Sequence, residues 1–183
     1  MLAKLQSDTL TTNKSLTNDQ IQLFYSVHLI IGNILSVTTN PKSDKMYFEK
    51  VDVSEKEPRD IATGLRRHYK SENMMGLALV VNNLKTKKVM NTISHGMLLC
   101  AANSDKSEIE LIRPGKEFMI GDRVILEGIQ EVECAAEVDI EKVDKYLSNI
   151  SVGNDMCILF CGIPLRTKSG KIYVSNASHN IIS

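Results

Sequence analysis

The sequence predicts a mainly β chain, with a barrel of five short strands followed by a smaller α+β companion packed on it. Two observations carry this. Between residues 28 and 101 short apolar runs recur, each bounded by Pro, Gly, Asn or Ser, as the strands of a tight barrel are. From about residue 132 the composition turns acidic, and a helix-period segment is followed by strand-like runs. The 183 residues are enough for one domain and a small companion. We divide them into a tail and short helix (1–26), a barrel (27–130) and a companion (131–183).

Residues 1–16 are polar, rich in Thr, Ser and Lys, and lack the apolar core of a secretory signal. Thr17, followed three residues on by Gln20, has the form of a capping box, and Ile21, Phe24 and Tyr25 give the ensuing helix an apolar face. Residues 28–37, HLIIGNILSV, read as a long strand that bends or bulges at Gly32. The breaker NPKSD ends it. Strands are expected at 46–53, 59–65, 77–81 and 96–101, with a helical insertion at 71–75. This count fits a five-stranded OB-fold. Residues 108–112 and 122–127 are extended and extend the sheet or cover its rim, with GKEFMIGD turning between them. Asp139 caps a helix in which Ile140, Val143, Leu147 and Ile150 fall at helical spacing. Strands return at 156–165 and 171–175, joined by a KSGK hairpin turn.

Several function classes are disfavoured. No run approaches the roughly 20 apolar residues of a membrane helix, so a soluble, cytoplasmic protein without membrane contact is expected. Cys100, Cys134, Cys157 and Cys161 lack CxxC spacing and read as reduced core residues. Cys157 and Cys161 are expected on one face of a strand. Gly170-Lys171 is not a phosphate loop, because Leu165 stands at the required first glycine and Ile172 follows the lysine. His28, His68, His95 and His179 do not fall at ligand spacing with Cys or Asp. No catalytic residue, metal or cofactor is expected.

What remains is charge. The formal net charge is zero, yet from Leu65 to Met97 the cations Arg66, Arg67, Lys70, Lys85, Lys87 and Lys88 meet only Glu72. From Asp105 to Lys145 twelve Asp/Glu face six Lys/Arg. A neutral total hides a dipolar surface, and a local positive field can hold a polyanion.

The motifs in this basic stretch resemble a known family. Asn83-Leu84-Lys85 with Lys88, then Ser94-x-Gly96-Met97, is similar to the signature of the tRNA-binding domain found in endothelial monocyte-activating polypeptide II and appended to aminoacyl-tRNA synthetases. Asn40-Pro41-Lys42-Ser43-Asp44, Thr63-Gly64-Leu65 and Gly121-Asp122-Arg123 follow the family's order, and the segment from Asp139 onward, with Gly162-Ile163-Pro164, looks like the extra subdomain of the polypeptide-II branch. The chain departs from the pattern at Thr86, where a proline is usual, at Met90-Asn91, where Arg-Gly often stands, and at Ile30, so a cytokine role is not carried over. The resemblance implies a non-catalytic, monomeric tRNA-binding module, appended to an aminoacyl-tRNA synthetase or acting on one in trans. Lys85, Lys87 and Lys88 would then neutralise phosphates on a loop beside the barrel's open face, with Arg66 and Arg67 at the same edge. Ser94 would offer a hydroxyl to the backbone or a ribose, and Met97 an apolar surface, with Asn83 completing the set. The acidic half motivates a second expectation, a protein scaffold of a multi-synthetase complex that makes no RNA contact.

Overall fold

The computed structural model describes residues 15–176 and 178–183. The tail expected over 1–16 lies outside the described residues except for Ser15 and Leu16, as does Ala177. In chain order the elements are α1 (Asn18–Ser26), β1 (Leu29–Thr39), β2 (Tyr47–Asp52), β3 (Arg59–Thr63), a 3-10 turn (Ser71–Asn73), β4 (Gly76–Val81), β5 (Lys87–Val89), β6 (Thr92–Ser94), β7 (Met97–Leu98), β8 (Cys100–Ala102) and β9 (Ile109–Leu111). There follow β10 (Ile125–Leu126), α2 (Ile140–Leu147), β11 (Ile150–Val152), β12 (Ile158–Phe160), β13 (Ile163–Thr167), β14 (Gly170–Lys171) and β15 (Ile181–Ile182).

The principal sheet runs β3-β2-β1-β4-β7, all antiparallel, and curls into a nearly closed barrel. Its free edges meet at the Ser-x-Gly-Met turn, where His95 N–H donates to the Asp60 carbonyl (2.7 Å) and Ala62 N–H to Ser94 Oγ (3.0 Å). Gly96 allows this crossing, because with φ +157° a Cβ there would stand 2.9 Å from the Val81 carbonyl oxygen and 3.2 Å from Ile61 Cδ1.

Strand alternation gives β1 and β4 two buried faces. Ile30, Ile34, Ala78 and Val80 fill the barrel with Val51, Val53, Ile61, Leu98 and Leu111. Leu29, Ile31, Leu79 and Val81 point outward and are covered by Val143 and Tyr146 of α2, by Ile158 and Phe160 of β12, and by Phe24 and Tyr25 of α1. Phe24, Tyr25, Tyr146 and Phe160 form one aromatic cluster with centroids 5.0–5.6 Å apart, and the Arg123 guanidinium lies 5.0 Å over the Tyr25 ring.

Gly32 is not the bulge. The register of β1 against β2 slips between Ile34 and Ser36, while Gly32 pairs regularly with Ala78. Its missing side chain answers crowding, since a Cβ would sit 2.6 Å from Val80 Cγ2. The strand expected at 96–101 is divided into β7 and β8 around Leu99, whose N–H donates to Leu79 O (2.9 Å) and whose carbonyl accepts from Ile112 N–H (3.2 Å). Ile150 begins β11 instead of extending α2, which ends at Leu147 with Ser148 as its cap. Cys157 and Cys161 do not share a strand face. Cys161, with φ +49°, and Gly162, with φ +87°, form the turn between β12 and β13. The segment expected at 171–175 contributes β14 and one bridge, Cys157 to Tyr173, and KSGK turns as expected, with Thr167 opposite Gly170. The extended segment 122–127 joins the companion sheet, ordered β10-β13-β12-β11, through β10.

Glu49 is 1 % exposed inside the barrel and accepts a hydrogen bond from the Thr63 hydroxyl, while its Oε2 has no partner among the described residues. Burial pushes its carboxyl up from 4.5 to about 7, against the lowering effect of the Thr63 hydrogen bond. Between those values the folded chain binds more protons than the unfolded chain. This contribution to stability is therefore complete below about pH 4.5 and is lost as pH rises through about 7, a decline of about 3 kcal/mol. Urea denaturation at about pH 5 and pH 8 should show the slope in the wild type and a flatter one in Glu49→Gln; equal slopes would refute it.

Candidate nucleic-acid interface

Asn83 sets the position of the basic loop. Its Oδ1 accepts from His28 N–H (2.8 Å), and its Nδ2 donates to the carbonyls of Ser26 and Ala135 (2.9 Å each), joining the end of α1, the start of β1 and the approach to α2. Two backbone bonds continue the attachment, from Val138 N–H to Asn83 O and from Lys85 N–H to Val138 O, both 2.8 Å. Leu84 thereby forms a parallel bridge with Val138. Asp139 follows and caps α2 by accepting from Lys142 N–H (2.9 Å).

The lysines beyond this attachment are not on an open loop. Lys87 and Lys88 lie in β5, which turns at Met90-Asn91, with Met90 at φ +55°, and returns as β6. Lys87 pairs with Ser94 and Lys88 with Ile93, so the two lysines face opposite sides of the hairpin. Lys87 faces a groove of about 690 Å³, together with Lys85, Val89 and Ser94, while Lys88 shares the outer face with the exposed Ile93. Thr63-Gly64-Leu65, Met97, Leu98, Asp139 and Ile140 also line the groove. Lys85, Lys87 and Lys88 are exposed, and none joins an ion pair among the described residues.

The other expected site residues are placed differently. Asn83 and Ser94 are buried, and their polar atoms are engaged by the protein's own backbone, Ser94 Oγ also donating to Gly96 O (3.3 Å). Met97 is half-buried and lines the groove. Arg66 donates to the carbonyls of Asn40 and Ser43, holding the NPKSD turn, and Arg67 pairs with Asp44. Neither arginine lines the groove. Thr63, Leu84 and Ile140 do line it but were not among the expected site residues. Thr63 lies in the matched Thr63-Gly64-Leu65 element, and Ile140 is an apolar residue left 47 % exposed at the first position of α2. Among the described residues no group of three or more His, Cys, Asp or Glu side chains could hold a metal.

Residues 29–123 match the family described as "Putative tRNA binding domain". The chain is 32 % identical over 148 residues to the cytoplasmic tyrosine–tRNA ligase of Xenopus laevis, which covers 79 % of this chain and 28 % of the ligase. It is 29 % identical over 154 residues to the cytoplasmic methionine–tRNA ligase of Arabidopsis thaliana, covering 83 % of this chain and 19 % of that one. It thus spans less than a third of these relatives. Among solved structures, the C-terminal domain of Plasmodium vivax p43 superposes with a TM-score of 0.81 at 28 % identity, covering 87 % of this chain and 98 % of that domain. A MetRS-related protein of Pyrococcus horikoshii superposes with a TM-score of 0.53 at 27 % identity, over 60 % of this chain and 97 % of the other.

Proposed function

The chain belongs to the tRNA-binding domain family, and from that premise we propose that it is a non-catalytic module that holds tRNA through backbone and shape along the lysine-rimmed groove. It serves an aminoacyl-tRNA synthetase, either as an appended part or in trans, by raising the local concentration of tRNA. The observation that carries this reading is the convergence of Lys85 and Lys87 with Met97 on one groove, their charges not used in ion pairs among the described residues. Lys85, Lys87 and Lys88 take phosphates, and Met97 takes an apolar face of sugar or base. Arg66 and Arg67 contribute field more than contact, and Asn83 and Ser94 shape the loop and turn.

The module acts in the cytoplasm as a monomer. Support for the monomer comes from the outer face of β1 and β4, which the companion covers with Val143, Tyr146 and Phe160. Fluorescence anisotropy with total tRNA should give saturable, micromolar binding. Its log–log dependence on salt should have a slope of about −0.7 to −0.9 per neutralised phosphate; binding indifferent to salt would reject the reading. The exposed Glu133, Glu137, Glu141 and Asp144 favour a second role, docking a basic protein partner on the companion. Capture of a synthetase after nuclease treatment would separate it from the first.

A further inference from the structure

Thr63 stands where the barrel interior meets the groove. Inside the barrel its hydroxyl donates to Oε1 of Glu49, and the same residue lines the groove between Ala62 and Gly64. A hydroxyl has one hydrogen, so a hydrogen engaged by Glu49 leaves Oγ1 only lone pairs to offer. The Thr63 hydroxyl is the side-chain donor to the Glu49 carboxylate, whose Oε2 is buried without a partner among the described residues.

We propose that Glu49 and Thr63 form an acceptor-only subsite on the groove wall that takes a ribose 2′-hydroxyl and disfavours phosphate. This rests on the tRNA reading and gives it a chemical basis for preferring RNA. Phosphate oxygens bring only lone pairs, and here they would meet Oγ1 with a buried carboxylate behind it. The 2′-hydroxyl brings a hydrogen, and it is the group that distinguishes RNA from DNA at a given site. The lining of the groove holds Lys85 and Lys87 as well as Thr63. Lys87 is one strand from Ser94, whose Oγ accepts from Ala62 N–H. The lysine backbone and the Thr63 strand are therefore roughly 10 Å apart, two strand spacings. A lysine side chain and one nucleotide span that distance, with the half-buried Met97 available to the sugar or base.

Protonating Glu49 would reverse the subsite. Oε1 is the oxygen with a partner, so the proton is best held there, donating to Thr63 and freeing the threonine hydrogen for the groove. The neighbouring titratable groups do not oppose this. Burial first, and then the charge of Glu49, push the Cys100 thiol up to about 12; Arg113 and Glu110 act by charge on Cys100, and Tyr47, on the same face of β2, bonds the Tyr69 carbonyl.

The test measures binding of a tRNA transcript and of the all-deoxy strand of the same sequence, by anisotropy, at about pH 8 and pH 6. The RNA-over-DNA affinity ratio should fall about fivefold in Thr63→Val at the higher pH, whereas Lys85→Ala should weaken both polymers alike. In the wild type the ratio should shrink on acidification, and in Glu49→Gln it should not. A ratio unchanged in a folded Thr63→Val would overturn the subsite; should that variant not fold, a wild-type ratio indifferent to pH overturns it alone. If the wild type binds neither polymer, the tRNA reading falls with it. Binding of tRNA with an insensitive ratio removes only the subsite.

Discussion

A Lys85→Ala/Lys87→Ala variant is expected to bind tRNA about a hundredfold more weakly than the wild type at about 50 mM salt, with the salt slope reduced by about 1.5. The pair is chosen by register. Lys87 faces the groove with Ser94, and Lys85 is held beside it by the bond from its N–H to the Val138 carbonyl. Each lysine that neutralises a phosphate releases a condensed counterion, and the gain is largest when the bulk holds few ions. The loss should therefore shrink towards physiological salt. Lys88→Ala, on the outer face of the same hairpin, is the comparison and should cost no more than one contact. Both lysines are exposed and outside the ion pairs of the described residues, so the melting temperature should stay within a degree or two. Equal losses from Lys85/Lys87 and from Lys88 alone would move the binding face off the groove.

Asn83→Ala is expected to destabilise the chain by about 4 kcal/mol, lowering its melting temperature by about 10 °C. Three buried or half-buried backbone groups lose their partner at once: the His28 N–H and the carbonyls of Ser26 and Ala135. An unsatisfied buried polar group costs about 1–3 kcal/mol, which is why the side chain matters more than its own size suggests. Differential scanning calorimetry gives the shift directly. A drop below about 3 °C would mean that water or a local shift replaces the amide, and that the loop is held by the Val138 bonds alone.

Much of the architecture could be read from the residues, because it depends on short-range signals. The capping box of Thr17 and Gln20 forms with both reciprocal bonds, and Asp139 caps α2. Alternation and breakers located the barrel strands to within a few residues. What escaped was set by distant contacts. The β5–β6 hairpin has three residues a side and a Met90-Asn91 turn without glycine, so it read as a basic loop. The strand β15 exists only because β8 offers it an edge, through Ile181 opposite Ala102 and Ile182 opposite Ala101. Gly32 was read correctly as a special position but for the wrong reason, since crowding by Val80 and Val51 is invisible along the chain. At the site, the lysines were legible as charge, whereas their facing was not, because facing follows from a register that pairs Lys87 with Ser94. Thr63 was visible only as part of a matched element; its bond to Glu49 joins two strands.

Through the Leu84–Val138 bridge, Lys85 and the residue before the cap of α2 share one pair of backbone hydrogen bonds, so the basic groove and the acidic helix have a common anchor. Were a polyanion to stiffen the loop, that anchor would carry the effect to the first turn of the helix, and a partner seated on the helix would act on the loop by the same route. Thermodynamic reciprocity would then make each change the other's affinity by the same factor. RNA carrier and protein dock, which look like rival roles, would be two inputs to a single cooperative element.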